Sequence, residues 1–143
     1  MKKLFLFLRA RITPLNSIRW VDLDKGQLNK YDTRPSIDFP AVLLKVEYPN
    51  TTKLSGPLQQ CNAIVTATVV FDFMDDTSSI TEEQTLMQSL ECYDIADEVH
   101  KLIQGAMDVN VIRTPLDCLS VRDPNRPDKI KTLIYSYSTK VIE

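Results

Sequence analysis

The chain has 143 residues, 43% of them hydrophobic and 25% charged, with a formal net charge of −2; this is ordinary globular usage, and the chain is long enough to bury a sizeable core. Its three glycines (Gly26, Gly56 and Gly105) lie far apart and its one histidine is His100, which excludes a dinucleotide fingerprint, a phosphate-binding P-loop and a His-rich metal centre. The acidic balance is no nucleic-acid-binding signature, and Cys61, Cys92 and Cys118, without a C-x-x-C pair, read as free thiols of a reducing compartment.

The N-terminus places Leu4–Leu8 between Lys3 and Arg9. That apolar run is too short for a signal sequence, and no run approaches membrane-spanning length, so the expectation is a soluble protein folded in a cytoplasm. Leu4, Leu8 and Ile12 recur at i, i+4 and i+8 and predict a helix over 2–12, ended by Pro14. Residues 17–23 hold Trp20 and β-branched side chains and predict a short strand. Gly26 marks a turn, and the polar stretch 27–40, with Pro35 and Pro40, is a loop.

Residues 41–48 predict a strand with Val42, Leu44, Val46 and Tyr48 on one face. Residues 49–57 are a polar excursion. Residues 59–73 alternate again, with Cys61, Ala63, Val65, Ala67, Val69, Phe71 and Phe73 on one face, so 50–60 joins two antiparallel strands as an extended hairpin. Thr81-Glu82-Glu83-Gln84 has the form of a capping box. The helix it opens runs to about Gln104 and stops at Gly105, with an apolar stripe through Leu86, Leu90, Tyr93, Ala96 or Asp97, Val99 and Ile103. Residues 109–114 and 116–121 predict strand interrupted at Pro115. Residues 123–128 form a hairpin loop, and 131–142 the last strand, with Leu133, Tyr135, Tyr137 and Val141 on one face. The order α-β-β-β-α-β-β predicts an α+β fold. It is a single domain over 1–143, an antiparallel sheet with the long helix packed on it and a short N-terminal helix.

No catalytic, cofactor-binding or metal-binding set emerges. His100 and Cys92 share the helix two turns apart, roughly 11 Å, beyond hydrogen-bond reach. Asp22-Leu-Asp24-Lys-Gly26 has the opening of a calcium loop, but the glycine and the closing glutamate of that loop are missing from their positions. The segment 122–131, with Arg122, Arg126, Lys129 and Lys131, could touch phosphates but has no aromatic side chain on which a base would stack. Charge is segregated. Residues 1–34 carry eight basic and three acidic side chains, and 72–98 carry nine acidic and no basic ones.

Several stretches together resemble the tail terminators, also called tail completion proteins, of phages. They are Ile18-Arg-Trp-Val-Asp22 leading into Gly26-Gln-Leu28, Phe39-Pro-Ala-Val42 opening a strand that continues to Tyr48, Gln59-Gln60 opening a strand that ends Phe71-Asp72, Ile95–Gly105 closing the helix, and Arg113-Thr-Pro-Leu116. The resemblance covers about 15–143. It implies a non-enzymatic virion protein without cofactors, assembled in the host cytoplasm. Such a protein forms a homo-oligomeric ring, typically a hexamer, that ends polymerisation of the tail tube and docks the head connector, or neck, while DNA passes through the lumen. Competing readings are a head-completion or neck connector protein, a small ligand-binding α+β domain and a nucleic-acid-binding module. Within the ring reading, the charge split places Arg9, Arg11 and Arg19 of one copy against Glu82, Glu83 and Glu91 of the next, a heterologous contact. The excursion 49–57, with Asn50, Lys53 and Gly56, is the expected lumen or axial contact.

Overall fold

A computed structural model describes residues 1–29, 34–72 and 75–143; the expected positions of Phe73 in a strand and of 30–33 in a loop lie outside them. The elements are α1 (Lys2–Ile12), β1 (Trp20–Leu23), β2 (Ala41–Ser55), β3 (Leu58–Phe71), α2 (Glu83–Ile103), β4 (Asp117–Arg122) and β5 (Lys131–Ile142). This is the expected α+β order. The five strands form one sheet in the order β1-β2-β3-β5-β4.

The sheet is mixed, which corrects the antiparallel expectation. β1 runs parallel to β2, with Trp20 beside Ala41, while β2–β3, β3–β5 and β4–β5 are antiparallel. A parallel neighbour needs a crossover of a dozen or more residues. The stretch after Leu23 supplies it, returning the chain to the end of the sheet where β1 began.

The main core lies between the helices and one sheet face. Leu4, Leu8 and Ile12 of α1 and Cys92, Ala96, Val99 and Ile103 of α2 meet Val42, Leu44, Val65, Val69 and Tyr137. A second, smaller cluster covers one end of the opposite face, with Leu28, Phe39 and Ile130 packed against Ile37, Ala41, Leu43 and Val70. Residues 41–44 are therefore buried on both faces, and their unbroken apolar run follows from that.

Four further expectations are corrected. The excursion 49–57 is mostly strand: Asn50 pairs with Asn62 and Thr51 with Cys61. Pro49 falls at the register shift between Glu47 and Asn50, where an irregular ladder accommodates its missing N–H. Residues 109–114 are not strand. The Asp108 carboxylate accepts from the Asn110 N–H at 2.9 Å, and the Asp108 carbonyl from Val111 and Ile112, so the chain turns there. The first strand begins at Trp20 rather than at 17. Thr81 does not cap α2. The N-cap is Glu82, with no side-chain cap bond, because the Thr81 hydroxyl lies 3.1 Å from that of Ser78 instead. The helix stop does fall where the glycine stands, with Gly105 at φ +71°.

The buried stripe of α2 is Ser89, Cys92, Ala96, Val99 and Ile103: Ala96, Val99 and Ile103 lie where expected, whereas toward the start of the helix Ser89 and Cys92 are buried, Leu86 and Leu90 are only half-buried, and Tyr93 is exposed. The ring of Tyr93 receives the Lys131 ammonium from β5, 5.5 Å from its centroid.

Candidate functional site

The side chains that could do chemistry are engaged by their neighbours. His100 stacks on Tyr135 and Tyr137, with centroids 5.4 and 5.8 Å away, and its Nδ1 lies 2.9 Å from the Tyr137 hydroxyl. Tyr137 is wholly buried, and burial pushes its phenol well above the usual range. The alternation that puts Tyr135 and Tyr137 on one face of β5 is readable in the sequence; their meeting with His100 requires the packing of α2 on that strand. Cys61 and Cys92 are buried and Cys118 half-buried, all free thiols; burial raises the Cys92 thiol.

The acidic turn after β1 closes on itself. Burial raises the Asp22 carboxyl, but Lys25 at 3.0 Å, the Leu23 N–H and Gln27 outweigh it and hold the group below the usual carboxylate range. The Asp24 carboxylate accepts from the Gly26 N–H. Among the described residues, no group of three or more His, Cys, Asp or Glu could hold a metal ion. In the segment 122–131, Lys131 is paired with Asp123 and Arg126 with Asp128. The Arg126 guanidinium also donates to the Leu28 carbonyl at 2.7 Å. Two of the four bases that could meet phosphate are thus neutralised within the chain.

The segregated charges are distributed more selectively than the sequence shows. Arg11 is turned inward along the molecule: its Nε donates to the Leu102 carbonyl of α2 at 2.8 Å. Arg34 is paired with Asp72 at 2.6 Å. Glu98 accepts from the Ser17 hydroxyl at 3.2 Å, and Asp97 is paired with Lys101.

Arg9 and Arg19 remain open and line one groove of about 500 Å³ between α1 and β1. Its walls are Phe5, Arg9 and Thr13 of the helix side, spaced one turn apart, and Arg19 to Leu23 of the sheet edge. Glu82, Glu83 and Glu91 are exposed at the start of α2, without an ion-pair partner among the described residues. That half of α2 stands over β5, where Tyr93 meets Lys131. The structure therefore brings Arg9 and Arg19 together, sets Arg11 apart, and puts the three glutamates on another part of the surface.

Thr51 to Leu58, including Lys53 and Gly56, are exposed throughout, as is Asn50. They form the tip of the β2–β3 hairpin, with Leu54 and Leu58 both about half exposed. None of the described helices is long and apolar enough to cross a membrane.

No protein-family model and no curated protein matches the sequence. Among solved structures, a chain described as "Virion of native gene transfer agent (GTA) particle" aligns over 95% of this chain and 84% of its own length, with 11% identity and a TM-score of 0.48. That degree of likeness carries no inference about function.

Proposed function

We propose that this chain is a structural virion protein of the tail-terminator type. All 143 residues act as one domain that assembles into a ring, a hexamer, which caps the head-proximal end of a phage tail tube, ends its polymerisation and docks the head connector. The assignment to this type rests on the sequence resemblance, above all Phe39-Pro-Ala-Val42 and Val99–Gly105.

The observation that carries the assembly part is the split surface. Open arginines line the α1–β1 groove, and open glutamates stand at the start of α2. Unlike surfaces on one subunit suit a heterologous contact, which closes into a ring when its rotation allows. The hairpin tip with Asn50, Lys53 and Gly56 is the part assigned to the lumen or to an axial contact. Lys53 is the only base over 49–57, as a channel that must not hold DNA requires.

Negative-stain microscopy and native mass spectrometry of the purified chain test the reading. Closed six-fold rings are expected. A strict monomer at high protein concentration overturns it.

A further inference from the structure

Glu83, Met87 and Glu91 lie at i, i+4 and i+8 of α2 and are all exposed. They form one stripe, acid–apolar–acid, about 12 Å long. Met87 is 62% exposed in its centre, an unbranched apolar side chain held in water between two carboxylates. Across the molecule, Phe5, Arg9 and Thr13 repeat the same spacing along α1 and form one wall of the groove whose other wall is the β1 edge. Trp20 and Leu23 are 36% and 42% exposed there. The groove thus offers two guanidiniums and two aromatic rings, Phe5 and Trp20, beside a helical wall whose Phe5–Thr13 spacing equals that of the stripe.

We infer that the Glu83–Met87–Glu91 stripe of a second copy of this chain lies in the α1–β1 groove, with Glu83 and Glu91 meeting Arg9 and Arg19, and Met87 on Phe5 and Trp20. A helix face in a groove is a recurrent mode of recognition. Met is suited to such a contact because its flexible thioether fills uneven space and packs well against aromatic rings. The occupant is a second copy because both halves of the contact stand on this one chain and are opposite in charge. They cannot serve each other within one subunit. The stripe stands over β5 and the groove at β1, and β2 and β3 lie between, about 14 Å of sheet.

The inference rests on the ring reading and narrows it. Of the six charged residues first expected at the contact, Arg11 is already held by Leu102, and Glu82 precedes the helix as its N-cap.

The test uses two double variants, E83K/E91K and R9E/R19E, in sedimentation velocity and native mass spectrometry, with circular dichroism as the control for folding. Each variant alone should associate at least about tenfold more weakly than the native chain, since a close interfacial charge pair is commonly worth that factor or more. Mixed in equal amounts, the two should assemble again. Every contact in an alternating assembly is then complementary, either native stripe in native groove or reversed stripe in reversed groove.

Loss of association without recovery on mixing overturns the inference. So does undiminished association of both variants while the native chain still assembles, an outcome that leaves the ring reading standing. A native chain that stays monomeric overturns both. Should the reversals perturb folding, the milder E83Q/E91Q and M87A are each expected to weaken association, and unchanged association of both overturns the inference.

Discussion

At the residue scale, the fold uses its few chemically versatile side chains for packing. The Tyr137 hydroxyl is shut away from water and has His100 Nδ1 at 2.9 Å. With its phenol pushed up by burial, the tyrosine stays protonated across the working range of pH and can donate to the ring nitrogen. Tyr137→Phe leaves the ring in place but removes the hydroxyl, so the half-buried imidazole nitrogen loses its partner. A loss of about 1 kcal/mol is expected, read as a lower urea midpoint at unchanged slope. An unmoved midpoint would show that the bond contributes nothing net.

Asp76 gives a pH-dependent case in the turn before α2. Its carboxylate accepts from the Ser78 N–H at 2.9 Å. That bond, followed by the Thr81 hydroxyl, holds the group below its ordinary 3.8. A depressed folded pKa means that the carboxylate contributes stability above the unfolded value and loses it as pH falls through the folded one. The stability difference between the native chain and Asp76→Ala should therefore be full above pH about 3.8 and shrink below it. Denaturant unfolding of both proteins from pH 6 to pH 2.5 measures this, and a difference that stays constant rules the linkage out.

At the scale of elements, Gly105 offers the cleanest prediction. It sits at φ +71°, and a Cβ built there would meet no atom within 4 Å. The penalty of Gly105→Ala is thus conformational alone, about 1–2 kcal/mol, and should appear as faster amide exchange in the last turn of α2. Equal exchange would mean that the helix end can rearrange freely. This stop was legible because the glycine and the end of the apolar pattern coincide. The start of the same helix was not. Thr81 has the right spacing for a capping box, but its hydroxyl is drawn to the Ser78 side of the turn.

The same contrast runs through the sheet. β3 and β5 alternate cleanly and were readable to within a residue or two. The outer half of β2 is polar and exposed, so its composition reads as an excursion, whereas the ladder continues past Pro49 through a register shift. The direction of β1 could not be read, since a strand of four residues shows neither a partner nor a polarity. The charges of the candidate contact were legible as a list of bases and acids. Which of them remain open was not: the engagement of Arg11 with Leu102 depends on α1 lying beside α2, a tertiary fact that no local pattern encodes.

At the scale of the whole molecule, a formal charge of −2 conceals two opposed surfaces, and their response to salt separates assembly from other uses of the same charges. The guanidiniums of Arg9 and Arg19 and the carboxylates of Glu83 and Glu91 are exposed, so in the free subunit their fields extend only about a Debye length, roughly 10 Å at 0.1 M and 3 Å at 1 M. Two pairs worth about 0.5–1 kcal/mol each against that screening correspond to about a tenfold change in association. Sedimentation equilibrium between about 0.05 and 0.5 M salt should show subunit association weakening by that order. The apolar contribution of Met87, Phe5 and Trp20 should persist, so assembly does not vanish at the upper limit. Association that is flat or strengthens with salt would mean that the contact is apolar throughout and that the charge split has no part in it. If duplex DNA were instead the principal partner, the steep loss with salt would belong to DNA binding, and subunit association would not follow it. Arg34, Arg126 and Lys131 are already held in ion pairs within the chain, which leaves fewer cations to release counterions from a phosphate backbone. Measuring both salt dependences on one preparation therefore decides between a surface built to meet its own copy and one built to meet DNA.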